Sequence, residues 1–484
     1  MASSASYADE ESGAAQNSCD ETLHFDPVTL EDVLNTASSM APPLLLAQQE
    51  IAIAKAGIMT AKTPFLPSAN FALNEERFVN KSGTTTSTSV GNSIVGGAGN
   101  HFSNYPAVAM TWNLFNGGKD VAGYRGAQAG LIAAENTRSN QVNTTLTGTL
   151  SAYNDLFKAQ LAVTQQVEDS ELLRHIEARS KERFSRGRAN LIDVTQAQIN
   201  FADGQRKLLL ACQTMIDKSS ALATQMGIRA PAGHVLSISG PIPTSPSALL
   251  DWRNLDAVVQ SDPGVQSAKA TIEAAQQKAE QARAAFYPTL ALTGRYDWLG
   301  QNPDSFAAAY HDTASNSYRI GIALQLSLGP FTSEYAALES AQASIIKAQT
   351  TYQQTVISVE TRLRNAWNAK HAFNLIAHSD EQSAKQAADL LNLSQQLFSH
   401  GRVDQNTVDQ AHIAADKAQE QARESESDLN LNNWLAYGTF NPIIFVPALI
   451  QRVKAANAPL SGTRIAAPKK AFAATDSVPI QTIH

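Results

Sequence analysis

One phrase of fourteen residues occurs twice in this chain, 214 positions apart, and that repetition limits the folds open to it more than any other feature. Phe184-Ser-Arg-Gly-Arg-Ala-Asn-Leu-Ile-Asp-Val-Thr-Gln-Ala197 returns as Phe398-Ser-His-Gly-Arg-Val-Asp-Gln-Asn-Thr-Val-Asp-Gln-Ala411, with seven identities. The same offset pairs Ala152-Tyr-Asn154 with Ala366-Trp-Asn368, and Ala127-Gln-Ala129 with Ala341-Gln-Ala343. Upstream, Phe65-Leu-Pro67 pairs with Phe286-Tyr-Pro288 at an offset of 221. Self-similarity at a fixed period means that one structural unit has been built twice.

Each unit passes through the same succession of periodicities. Residues 116–185 are almost free of proline and rich in Ala, Gln, Leu and Glu. Within them Leu150, Tyr153, Phe157 and Leu161 recur at the spacing of an amphipathic helix. Seventy residues of helix would reach about 100 Å. Gly187 interrupts this pattern where a helix end commonly needs a left-handed residue, and helical spacing resumes over 190–226. The second unit repeats the plan, from Ser333 past Leu390, Leu393 and Leu397 to a break at Gly401, then on to Leu435. Two long helical hairpins with glycine tips are predicted.

Ahead of each hairpin the period changes to two. Residues 318–328 alternate, with Tyr318, Ile320, Ile322, Leu324, Leu326 and Leu328 against Arg319, Gly321, Ala323, Gln325 and Ser327. Residues 105–115 set Pro106, Val108, Met110, Trp112 and Leu114 against Ala107, Ala109, Thr111 and Asn113. A third strand, 287–299, shows Leu290, Leu292, Tyr296 and Trp298 on one face; a fourth, 67–78, shows Ala69, Phe71 and Leu73. Strands of about ten residues with one apolar and one polar face suit a membrane barrel, although a soluble sandwich produces the same alternation. Context separates the two. Four strands do not enclose a lumen, open edges are not tolerated in lipid, and no other strand-rich region exists to complete the sheet. Closure then requires further copies, and three chains would supply twelve strands. The polar stretches 81–100 and 300–316 read as loops on the side away from the helices.

Composition closes off other classes. With 43% hydrophobic and 17% charged residues, the chain is not disordered throughout, and a net charge of −7 gives no reason to expect a nucleic-acid partner. Two cysteines, Cys19 and Cys212, make neither a disulfide framework nor a metal knuckle, and Cys19 reads as incidental. The ten histidines form no HExxH motif, no CxxC or GxSxG motif is present, and His371 and His378 read as an exposed pair. Gly96, Gly97 and Gly99 lack the lysine and the βαβ context of a phosphate loop. No catalytic, cofactor or metal site is expected. The start shows no signal peptide, as expected of a mature or recombinant form. No run of about twenty apolar residues marks a membrane helix. Residues 434–450, broken by Pro442 and Pro447, read as an extended segment packed on a helical body.

The order helix, strand, polar loop, strand, long helix, tip, helix, given twice, resembles the TolC family of outer-membrane efflux and secretion channels. Its repeated hairpin motif is similar to Phe184-x-x-Gly187 and Phe398-x-x-Gly401; Phe65-Leu-Pro67, Phe286-Tyr-Pro288 and the turn Leu114-Phe-Asn-Gly-Gly118 also match. The resemblance covers residues 25–445. It implies a homotrimer whose twelve-stranded barrel crosses the outer membrane and continues as an α-helical tunnel through the periplasm. It also implies a small mixed equatorial domain, no catalysis, and two partners: a periplasmic adaptor protein and an inner-membrane transporter of RND, ABC or MFS type. The adaptor would dock at the tips, here Phe184, Arg186, Gly187, Arg188, Phe398, His400, Gly401 and Arg402. Val108, Met110, Trp112, Leu290, Leu292, Tyr296, Trp298, Ile320, Ile322, Leu324 and Leu326 would face outer-membrane lipid. In better-known members acidic rings after the second tip narrow the tunnel. Those places hold Thr407 and Gln410, with Asp404 and Asp409 out of register and Asp193 matching after the first tip, so the acidic gate does not transfer intact.

The chain therefore divides into a disordered start (1–24), a first repeat (25–229), an equatorial linker (230–253), a second repeat (254–439), an equatorial segment (440–456) and a disordered tail (457–484). The expected function is a passive exit duct of a tripartite efflux pump for small molecules. The alternatives are the conduit of a type I protein secretion system and a periplasmic coiled-coil structural protein.

Overall fold

The computed structural model describes residues 19, 23–79, 86–90, 93–97, 101–231, 233–245, 255–313, 315–440 and 447–451. Strand β1 (His24–Val28) leads into α1 (Leu30–Met40) and α2 (Pro42–Lys62). Thr29 caps α1 by accepting from the Asp32 amide, and Pro42 opens α2, where a missing amide costs nothing. Then come β2 (Ser68–Phe78), β3 (Thr86–Val90), β4 (Ser93–Gly97) and β5 (His101–Asn116), and the first hairpin, α3 (Lys119–Ser185) and α4 (Leu191–Met226). After β6 (His234–Ile238) the plan repeats as α5 (Leu255–Ser261), α6 (Pro263–Arg283), β7 (Thr289–Asn302), α7 (Phe306–His311), β8 (Ser315–Gln325) and the second hairpin, α8 (Thr332–Ser399) and α9 (Gln405–Phe440).

Four strands form one antiparallel sheet in the order β2-β5-β7-β8. Its register carries the apolar residues across in rows: Phe71, Val108, Tyr296 and Tyr318 in one, Trp112, Leu292 and Ile322 in another. Between Asn113 and Phe115 the register slips by one residue. The slip is a bulge, and it corrects the simple alternation: Phe115, not Leu114, pairs with Leu290 and continues the apolar row. At the turn from β5 into α3, Gly117 has a φ of 58° and a Cβ there would meet the Ala284 carbonyl oxygen at 2.6 Å. Only glycine fits that turn.

The main core lies part-way along the hairpins. Leu146, Leu150, Tyr153 and Leu156 of α3 meet Met215, Leu222 and Met226 of α4, Val33 and Leu34 of α1, Val235 and Ile238 of β6, and Trp434 of α9. Tyr153 donates to the Gly240 carbonyl at 2.7 Å and Trp434 to that of Pro243 at 2.7 Å, so both buried aromatics keep their polar ends satisfied. A smaller cluster, Val259, Val265, Val359, Leu363 and Phe440, serves the second half.

Several expectations need correction. Cys19 is not incidental: it forms a disulfide with Cys212 on α4, across 193 residues, with Cα atoms 5.6 Å apart. Spacing does not reveal such a pair, because only tertiary folding brings the two together. Strand β1 was not expected, and it pairs in parallel with β6. The polar stretch 81–100 contains the β3–β4 ladder, and 300–316 contains α7. Residues 434–440 are the end of helix α9 rather than extended chain, and 447–450 are helical too. Strand β8 ends at Gln325, so Leu326 and Leu328 lie beyond it. Gly96 and Gly97 close β4, while Gly99 lies outside the described residues, as do the remainder of the start, 246–254 and the tail from 452.

Candidate functional site: hairpin tips, an acidic seam and a two-faced sheet

Both tips close by the same backbone device. At the first, the Gly187 amide donates to Phe184 O at 2.9 Å and the Arg188 amide to Arg183 O at 2.8 Å; at the second, Gly401 donates to Phe398 O and Arg402 to Leu397 O, both at 2.8 Å. This is the Schellman pattern, and it needs a left-handed residue, supplied by Gly187 at φ 68° and Gly401 at φ 70°. No neighbouring atom lies within 4 Å of a Cβ built on either glycine, so the requirement comes from the backbone alone. Phe184 and Phe398 are 45% and 43% exposed. Arg186 pairs with Glu182 one turn back, and Arg188, His400 and Arg402 are exposed. The first tip adds two bare apolar side chains, Leu191 and Ile192, at 64% and 76% exposure.

The acidic residues after the tips do different work from one another. Asn190 accepts from the Asp193 amide at 2.8 Å and Asp193 accepts from the Asn190 amide at 3.3 Å, which is a capping box for α4. In the second tip the partners are exchanged: Asp404 accepts from the Thr407 amide at 3.0 Å and from its hydroxyl at 2.8 Å. These hydrogen bonds hold the Asp404 carboxyl below the usual range. Asp193 and Asp404 serve helix starts, Thr407 donates to the second of them, and Gln410 is exposed. Asp409 is unlike them. Only 4% exposed, it pairs with Arg179 of α3 and accepts from Gln405 at 3.1 Å, tying the second hairpin to the first.

That tie begins a seam between α3 and α9. Asp416, Glu420, Glu424 and Asp428 recur every fourth residue, so they share one face of α9. At its far end Asp428 accepts from Asn154 at 2.6 Å and pairs with Lys158 at 2.9 Å, and Ser427 donates to Asn154 at 2.6 Å. Between these anchors lies a 160 Å³ cavity lined by Gln165, Glu168, Asp416, Glu420 and Arg423, among others. Burial, then the neighbouring Glu424 and Asp169, push the Glu420 carboxyl up to about 7. Asp169 and Glu424 are also raised, chiefly by burial. The four-residue acidic spacing was readable in sequence; that it faces another helix was not.

The sheet has two unlike faces. Tyr318, Ile320, Ile322 and Leu324 are 76%, 78%, 69% and 72% exposed, and Phe71 is 68% exposed. Val108, Met110 and Trp112 are at the edge of exposure, while Leu290, Leu292, Tyr296 and Trp298, on a central strand, are half-buried. The opposite face carries Asn70, Thr111, Thr293, Arg295, Asp297 and Arg319. Arg295 donates to Asp297 at 2.6 Å and Arg319 donates to it at 3.4 Å. A soluble sandwich would cover the apolar face; here α7 packs only on its Phe102–Gly300 end, and Tyr318, Ile320, Ile322 and Leu324 stay bare among the described residues. No described helix is long and apolar enough to cross a membrane. His371 and His378 are both exposed on α8 and belong to no metal-competent group among the described residues.

A duplicated strand-and-hairpin unit, with an amphipathic sheet at one end and helical tips at the other, defines a class of outer-membrane channel proteins. The profile of the outer membrane efflux protein family matches residues 33–228 and 254–432, and the chain belongs to that family. It is 26% identical to protein CyaE of Bordetella pertussis over 298 residues, 60% of this chain and 59% of CyaE. It is 24% identical to the pyoverdine export outer membrane protein OpmQ of Pseudomonas aeruginosa over 393 residues, 78% of this chain and 77% of OpmQ. In fold it is similar to the outer membrane protein VceC of Vibrio cholerae, with a TM-score of 0.68, 18% identity and coverage of 84% of this chain and 95% of that one.

Proposed function

We propose that three copies of the chain close their sheets into one twelve-stranded barrel in the outer membrane, and that the hairpins continue it as a tunnel through the periplasm. One observation carries this reading: a four-stranded sheet with both edges open presents an uncovered apolar face. In lipid such edges must be paired, and further copies of the same sheet are the economical partners. The apolar rows then meet lipid, and Arg295, Asp297 and Arg319 line a wet lumen. The duct is passive, without catalytic residues or cofactor, and the likeness to OpmQ favours small-molecule export over protein secretion. An inner-membrane transporter supplies the substrate through a periplasmic adaptor. The adaptor docks on the tips, where Phe184, Leu191, Ile192 and Phe398 offer bare apolar surface beside Arg188 and Arg402. Opening of the periplasmic end separates the hairpins at Arg179–Asp409.

The face assignment is tested by outer-membrane assembly of two neighbouring variants. Ile320→Arg, at the middle of β8, is expected to cost about 2–4 kcal/mol near the bilayer midplane and to lower the assembled fraction, whereas Ala323→Ser is tolerated. Equal damage from both would remove the barrel from the reading. Docking is tested by Gly187→Val with Gly401→Val: normal trimer yield with lost export is expected, and intact export would take the tips out of the mechanism.

A further inference from the structure

We propose that His24, Asp26 and His234 form a binding site for a first-row divalent metal ion of the zinc or copper type. His24 and His234 are direct partners in the parallel β1–β6 ladder, and Asp26 lies two residues further along β1. The two-residue period of a strand therefore places all three on one face. The imidazole centroids are 5.0 Å apart. The carboxylate reaches between them, with one oxygen 2.9 Å from His234 Nδ1 and the other 3.6 Å from His24 Nε2. One ligand atom from each residue lies within 4.8 Å of the other two. Ligand atoms on a tetrahedral zinc at 2.0–2.1 Å are about 3.4 Å apart, so small side-chain rotations complete the geometry. Those rotations are available, because the side chains of His24 and His234 are 72% and 39% exposed. The same exposure leaves a path for the ion.

The backbone beneath is fixed. The His24 amide donates to the Gly233 carbonyl at 2.8 Å, Val235, Leu236 and Ile238 are buried, and the Cys19–Cys212 disulfide anchors the chain just upstream. Two imidazole nitrogens and one carboxylate oxygen suit Zn²⁺, Cu²⁺ or Ni²⁺, whereas Ca²⁺ and Mg²⁺ favour all-oxygen shells. Three protein ligands leave a position for water. The ion would fasten the N-terminal strand to the segment that joins the two repeats, complementing the disulfide just upstream of that strand. None of the three residues belongs to the tips, the acidic seam or the four-stranded sheet, so the site stands whether or not the duct reading does.

The test uses the untagged full-length protein in detergent, stripped with a chelator and titrated calorimetrically with Zn²⁺. One ion per chain is expected, with no saturable heat from Ca²⁺ or Mg²⁺. His24→Ala and His234→Ala should each weaken binding by about tenfold or more, since even second-layer changes cost about that much; the double variant should not bind, and His378→Ala should bind as the parent does. The Cu²⁺-loaded parent protein should show coupling to two imidazole nitrogens in its electron paramagnetic resonance spectrum, which decides the matter even if the variants misfold. Absence of saturable binding, binding that survives the double substitution, or a copper spectrum without nitrogen coupling would overturn the proposal in favour of a simple His–Asp hydrogen-bonded pair.

Discussion

The two hairpins have nearly the same length and tips closed by the same hydrogen bonds, yet their long first helices, α3 and α8, are buried very differently. In the first, Leu146, Leu150, Tyr153, Leu156 and Val163 of α3 are all sealed into the main core. Helix α8 of the second leaves Ile346, Ile357, Leu375, Leu390 and Leu393 more than half exposed, and itself buries only Ala341, Ala348, Val359, Leu363 and Ser394. The clearest contrast is at one aligned position: Tyr153 is 1% exposed, its counterpart Trp367 39%. Duplication copied the backbone plan, and α1, β1 and β6 then clothed α3 and α4, with α9 joining that core through Leu431 and Trp434 while α8 stays outside it. An apolar helix face left bare within one chain belongs against another chain. In the proposed trimer, α8 is where protomers would meet, together with the bare Ile199, Leu209 and Leu210 of α4.

That contrast can be broken by paired substitutions. Tyr153→Ala should lower stability by about 3–5 kcal/mol, the cost of deleting a buried aromatic. Trp367→Ala should leave the helical core within about 1 kcal/mol of the parent and act instead on association of the chains. Denaturant unfolding followed by helical signal, beside the proportion of assembled oligomer, separates the two effects. Equal losses of stability would mean that the hairpins are equivalent after all.

The disulfide sharpens the same comparison, because it staples the first repeat alone. Cys212→Ser should cost about 2–4 kcal/mol, read as a midpoint below the parent's under non-reducing conditions only, since reductant removes the same bond from the parent. A midpoint indifferent to reductant would show that the N-terminal segment is held by β1 and the core without it.

The smallest effect is expected at the seam between the hairpins. Glu420 is raised in the folded protein to about 7 from an ordinary value near 4.5. A folded-state rise in a carboxyl means that its contribution is full below about pH 4.5 and is lost as pH climbs through about 7. Glu424 and Asp169 reinforce the rise and Lys417 opposes it. Stability of the α3–α9 contact should therefore fall over that window, and Glu420→Gln should flatten the profile. A profile unchanged by the substitution would assign the pH dependence to other groups.

Much of this architecture is legible in sequence because it is periodic. Leu150, Tyr153, Phe157 and Leu161 reveal a helix, Ile320, Ile322 and Leu324 a strand, and Gly187 and Gly401 the reversals, since each signal is contained in a few neighbouring residues. What escaped depends on residues far apart. Cys19 meets Cys212, and His24 and Asp26 meet His234, only once β1 has paired with β6. The acidic residues show the same limit from the other side. Asp193, Asp404 and Asp409 look alike in sequence, but two satisfy helix ends and the third is buried against Arg179, a distinction set by neighbours on another helix.

The central claim is that one chain supplies a third of a barrel. Native mass spectrometry of the full-length protein released from detergent counts the chains directly. Three chains per particle are expected, with strand signal retained. A monodisperse single chain that keeps its strand signal would contradict the account, because the edges of β2 and β8 would then be stable without the partners that closure requires.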